Sequence, residues 1–121
     1  MAGKNYRDLI AWQRAMDFAV AVYEATKAFP QEERYGLTSQ LRRCSVSIPS
    51  NIAEGQGRRN DGHFKHSLQM AHGSLCEAEA QVLLAQRLGF LKAEAADRLL
   101  DQAGEVGRLV TGLTKSLEAR S

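Results

Sequence analysis

Residues 55–59 read Gly-Gln-Gly-Arg-Arg, two glycines running into two arginines, and such a run can bring backbone amides and cations to a phosphate. The fragment lacks the Lys-Ser/Thr pair of a P-loop and the full glycine spacing that follows a strand in a dinucleotide site, so nucleotide binding is disfavoured. His63, His66 and His72 lie close along the chain, but no Glu-x-x-His pair repeats and neither Cys44 nor Cys76 stands at zinc spacing. No serine or cysteine sits in a nucleophile elbow or another recognised catalytic frame. The expectation is a protein with no catalytic residues, no metal site and no cofactor. The two cysteines, far apart and without a Cys-x-x-Cys motif, are expected as reduced, partly buried thiols.

The feature left standing is charge. The whole chain carries 16 basic and 14 acidic residues, a formal net charge of +2 and too little for a dedicated nucleic-acid binder. Between Arg34 and His66, however, six cations (Arg34, Arg42, Arg43, Arg58, Arg59, Lys65) face only Glu54 and Asp61, a local charge of +4. Arg42, Arg58, Arg59, Lys65 and His66 are therefore the candidate nucleic-acid-binding residues: long cations can reach phosphates, and a helix beginning after residue 60 can add its N-terminal amides.

The elements that position these groups follow from the apolar spacing. Leu9, Trp12, Met16, Ala19 and Tyr23 recur at three- and four-residue steps, and so do Ala15, Phe18, Val22, Ala25 and Phe29, so the first helix is apolar on more than one side. The first stripe is read as the buried face. Phe29-Pro30 stops this helix, and Glu32 and Glu33 suit the opening turn of the next. Leu37, Leu41, Cys44, Ile48 and Ile52 keep their phase past Pro49, which predicts a kinked continuous helix ended by Gly55 and Gly57, although a proline in a helix interior costs about 3 kcal/mol. The alternative is a fresh helix opened by an Asn51-x-x-Glu54 capping box.

The third helix shows Phe64, Leu68, Ala71, Leu75, Ala78, Val82 and Ala85, with Asn60 or Asp61 as N-cap and Gly89 as its stop. The fourth repeats the pattern from Ala96 to Leu117. Expected helices span about 8–28, 32–55, 61–88 and 92–118, joined by short connections, with no convincing strand pattern. This predicts an all-α chain, residues 1–121 forming one antiparallel up-down-up-down four-helix bundle.

On the second helix, Gln40, Arg43, Ser47, Asn51 and Glu54 form a polar stripe beside the apolar one, a candidate structural network or a solvated face. A third side carries Val46, Pro49 and Ala53 where a solvent-facing helix ordinarily shows Lys, Glu and Gln. Packing on several sides points to a homo-oligomer, with Val46, Pro49, Ala53, Phe18 and Val22 as candidate contacts. The N-terminal segment has no uninterrupted apolar core of signal-peptide type, and no stretch approaches membrane-spanning length, so a cytoplasmic, membrane-free protein is expected.

The chain also resembles the four-helix bundle proteins named after the open reading frames in bacterial 23S rRNA intervening sequences. The resemblance lies in DLIAWQRAMDFA (8–19), VYEATKAFPQEERYGLTSQLRR (22–43), SVSIPSNIAEGQGR (45–58) and MAHGSLCEAEAQ (70–81), and covers nearly all of residues 6–91. It implies a closed homo-oligomer, typically a pentamer, with no enzymatic activity. It also implies a fold shared with the accessory variability protein of diversity-generating retroelements, a nucleic-acid-binding partner of a reverse transcriptase. RNA or DNA, and a protein partner such as a reverse transcriptase, are thus the expected partners besides the chain itself. The competing expectation is a purely structural or protein-binding module.

Overall fold

The computed structural model describes residues 5–120. Four α-helices, α1 (Ile10–Thr26), α2 (Leu37–Gly57), α3 (Asp61–Arg87) and α4 (Ala93–Arg120), pack in cyclic order as a bundle, with no strand among the described residues. Short 3-10 turns at Tyr6–Asp8 and Gln31–Glu33 precede α1 and α2. The core is the set of stripes that the spacing marks on α2, α3 and α4: Leu41, Ile48 and Ile52 meet Leu68, Ala71, Ala78, Val82, Ala103 and Val106 at essentially zero exposure. Among the described residues no helix is long and apolar enough to cross a membrane.

On α1 the two apolar stripes exchange roles. Ala15, Phe18 and Val22 are fully buried, whereas Met16 is 40% and Tyr23 42% exposed. Both stripes have the same period, and what separates them is which side α2 and α4 cover. Phe18 and Val22 therefore belong to the core of a single copy and cannot be contacts between copies; this corrects the expectation that placed them at an interface.

α2 begins later than the acidic pair suggests. Gln31–Glu33 closes as a separate 3-10 turn, and Glu33 Oε1 then accepts a hydrogen bond of 3.0 Å from Leu37 N. Glu33 thus caps α2 from outside instead of lying in its first turn, satisfying one of the amides a helix start leaves unpaired. From there α2 runs unbroken through Pro49, which is buried. The capping-box alternative is excluded, because Asn51 Nδ2 donates back to Ser47 O at 2.8 Å and lies in mid-helix. Nor does Gly55 end the helix. It is buried at the α2–α3 crossing, where a Cβ would lie 2.5 Å from Ser67 Cβ, and α2 continues to Gly57.

α3 opens with Asn60, whose Oδ1 accepts from His63 N at 3.0 Å. It closes with a Schellman arrangement: Phe90 N donates to Ala85 O and Gly89 N to Gln86 O, with Gly89 at φ +82°. Phe90, delivered by this turn, packs on Phe29 with ring centroids 5.6 Å apart. Gly89 is thus the stop that its position predicts.

Candidate functional site

The α2–α3 connection consists of little more than Arg58, Arg59 and Asn60. Arg58 is the C-cap of α2 in ordinary helical geometry. Arg59 has φ +58°, the left-handed conformation in which a side chain other than Gly or Asn costs about 1–2 kcal/mol. This reversal lets Asn60 cap α3 at once, and it sets Arg59, exposed, at the tip of the turn. Lys65 and His66 follow within the first two turns of α3.

The patch is smaller in charge than the chain order implies. Arg58 Nε is bonded to Glu54 Oε2, and Arg120, from the last turn of α4, reaches Asp61 Oδ1 at 2.7 Å. Arg59 and Lys65 make no ion pair among the described residues. Arg42 lies elsewhere. Sixteen residues up α2 from Arg58, roughly 24 Å along a helix axis, its Nε donates to Thr26 Oγ1 at 2.8 Å and its guanidinium lies 4.5 Å from the Tyr23 ring centroid. It ties α2 to α1 and does not join the cations at the turn.

The polar stripe on α2 divides in the same way. Ser47 Oγ meets Ser74 Oγ at 2.8 Å, and Asn51 Nδ2 donates to Ser47 Oγ at 3.1 Å. Glu54 Oε1 accepts from Ser67 Oγ at 3.1 Å while Oε2 holds Arg58, and these two hydrogen bonds, Arg58 first, pull the Glu54 carboxyl below its ordinary range. Gln40 and Arg43 stand exposed outside this seam. Ser67 and Ser74 were not singled out from the sequence. Serines at i and i+7 on one side of a helix are the one signal that could have found them.

Val46, Pro49 and Ala53 line one wall of a hollow of about 460 Å³ between α1 and α2. The opposite wall is α1, through Trp12, Met16, Val20 and Tyr23. Val20 is 60% and Val46 42% exposed, so a broad apolar surface faces outward here. Val46, Pro49 and Ala53 are thus gathered on one face, and the α1 stripe beside them is the one first read as core.

The histidines lie exposed along α3, and among the described residues no three His, Cys, Asp or Glu side chains converge. Cys76 is exposed, a correction to the expected partial burial, with its Sγ 3.8 Å from His72 Nδ1. Cys44 is half-buried, and desolvation, reinforced by Glu77, raises its thiol pKa against the opposing influence of Gln81 and Arg43.

A family model described as 23S rRNA-intervening sequence protein matches residues 7–112. Among solved structures, the chain is similar to a protein of unknown function from the S23 ribosomal protein family of Bacteroides thetaiotaomicron. The two share 21% identity and a TM-score of 0.81, over 88% of this chain and 96% of that one. That likeness is one of fold. No curated protein matches the chain.

Proposed function

The chain belongs to the 23S rRNA-intervening sequence protein family, and on that premise we propose that it is a non-enzymatic, self-associating binding protein whose ligand is RNA or DNA. The observation that carries the ligand is Arg59. It is a cation without an ion pair among the described residues, placed at the left-handed position that ends α2, where glycine would be less strained, and backbone strain of this kind clusters at functional positions. Lys65 and His66 add cationic and imidazole groups from the first two turns of α3 that follow it.

The helices run up, down, up and down in this reading. Its support is that the end of α4 meets the start of α3 through Arg120 and Asp61, while Phe29 after α1 meets Phe90 before α4. Copies associate through the α1–α2 face and close into a ring, five being the number that the family resemblance implies, in the cytoplasm. A ring repeats the small patch at the turn, so that single contacts too weak to hold a strand act together.

The test is a salt titration of the purified full chain with a labelled RNA hairpin, a single strand and a DNA duplex. Binding to at least one of them should weaken linearly with log salt and disappear in the Arg58→Glu, Arg59→Glu double variant. No affinity at low salt, or affinity unchanged in the variant, leaves a protein-binding scaffold as the function.

A further inference from the structure

The exposed apolar side chains form a second group, away from the α1–α2 hollow. Met70 is 51%, Leu83 and Leu84 48%, and Leu88 53% exposed along the outward side of α3. At about 100° per residue, Met70, Leu84 and Leu88 fall within one narrow arc, with Leu83 on the far side of the same outward surface. Gly73, Cys76 and Ala80 between them are exposed as well, and the charges on this side are Glu77, on the same arc midway between Met70 and Leu84, and Arg87. Beyond Glu77 the result is a ridge of leucines, Leu83, Leu84 and Leu88, at the end of α3 on a face that no other helix of the chain covers.

We infer that this ridge seats in the α1–α2 hollow of the next copy, an inference that rests on the self-association proposed above and names its two halves. The first reason is shape. The hollow lies between α1 and α2, with the small side chains of Ala19, Pro49 and Ala53 in its lining; two such surfaces facing each other would enclose a void, and close packing excludes voids. A ridge fills it. The second reason is charge. Arg87, exposed among these leucines, makes no ion pair among the described residues, and the wall of the hollow carries Glu24, whose present partner is the exposed Lys27 at 3.0 Å. The contact joins unlike faces, so each copy offers one ridge and one hollow, and copies add head to tail until the ring closes.

Sedimentation velocity on the full chain at tens of micromolar tests this with two variants at exposed positions. Val20→Glu with Val46→Glu disables the hollow; Leu84→Glu with Leu88→Glu disables the ridge. Each alone should weaken assembly at least roughly a hundredfold and sediment as a monomer. Mixed one to one they should form a dimer, because one intact hollow and one intact ridge remain. Unchanged helical circular dichroism and melting certify the fold, and Leu84→Ser with Leu88→Ser serves if the glutamates unfold it. A monomeric wild type removes the self-association reading together with this one. If the wild type assembles but the ridge variant assembles equally well, or the mixture stays monomeric, self-association survives and the pairing of ridge with hollow is overturned.

Discussion

Glycines two residues apart, 55 and 57, look interchangeable in the sequence and are opposites in the structure. A Cβ at Gly55 would lie 2.5 Å from Ser67 Cβ, backbone-borne and unable to swing away, whereas one at Gly57 meets nothing within 4 Å. Gly55→Ala should therefore cost about 1–3 kcal/mol as α2 and α3 are pushed apart, and Gly57→Ala should be neutral or stabilising by up to about 1 kcal/mol; chemical denaturation separates the two. Arg59→Gly should move two quantities in opposite directions. Relief of the left-handed strain leaves stability unchanged or raised by up to about 1 kcal/mol, while nucleic-acid affinity falls and its salt slope drops by about one. The cysteines should differ in a thiol titration near neutral pH: the exposed Cys76 reacts quickly, and Cys44, held protonated by desolvation, reacts slowly. None of these contrasts is legible in residue types alone: the glycine and cysteine pairs depend on how closely a second helix approaches, and Arg59 on a backbone angle set by the turn.

At the scale of elements, periodicity located α2, α3 and α4 and even carried α2 through its proline, since Ile48 and Ile52 hold phase on either side of Pro49. It failed where two answers share a period. The Trp12 and Phe18 stripes of α1 are equally regular, and Glu32-Glu33 suits a helix start as well as the 3-10 turn it forms. The cap that resulted makes Glu33→Ala a loss of about 1 kcal/mol, read as a lower melting temperature. The α2–α3 seam adds a pH dependence. Glu54 is held below its ordinary value of 4.5, so its ionised form stabilises the fold above that pH and the contribution is lost as the pH falls through the depressed value. The gap in melting temperature between wild type and Glu54→Gln, present at pH 7, should close below pH 4.5.

For the whole molecule, the near-neutral charge of the chain and the +4 between Arg34 and His66 direct attention to one region, but folding splits it. Arg42 is spent on Thr26 and Tyr23 and Arg58 on Glu54, Arg34 and Arg43 lie away from the turn, and at the turn itself Arg59 and Lys65 remain. The outward faces of α1 and α3 were legible only in part. A sequence shows that α2 has too many apolar sides for one bundle, but which side of α1 joins it is settled by packing among all four helices.

The Arg120–Asp61 pair also fixes an address. It brings the last turn of α4 beside the first turn of α3, next to the tip at Arg59, and the edge-to-face contact of Tyr6 with Trp12, with Tyr6 on the wall of the Ala53 hollow, brings the start of α1 toward the same end. The opposite end is clasped by Phe29 and Phe90. A fluorophore on the exposed Ala119 would thus sit within reach of a strand docked at Arg59 and report its arrival, whereas the same dye on the exposed Lys92 would remain dark to it. A bulky fusion at either flank of the bundle would crowd the basic tip.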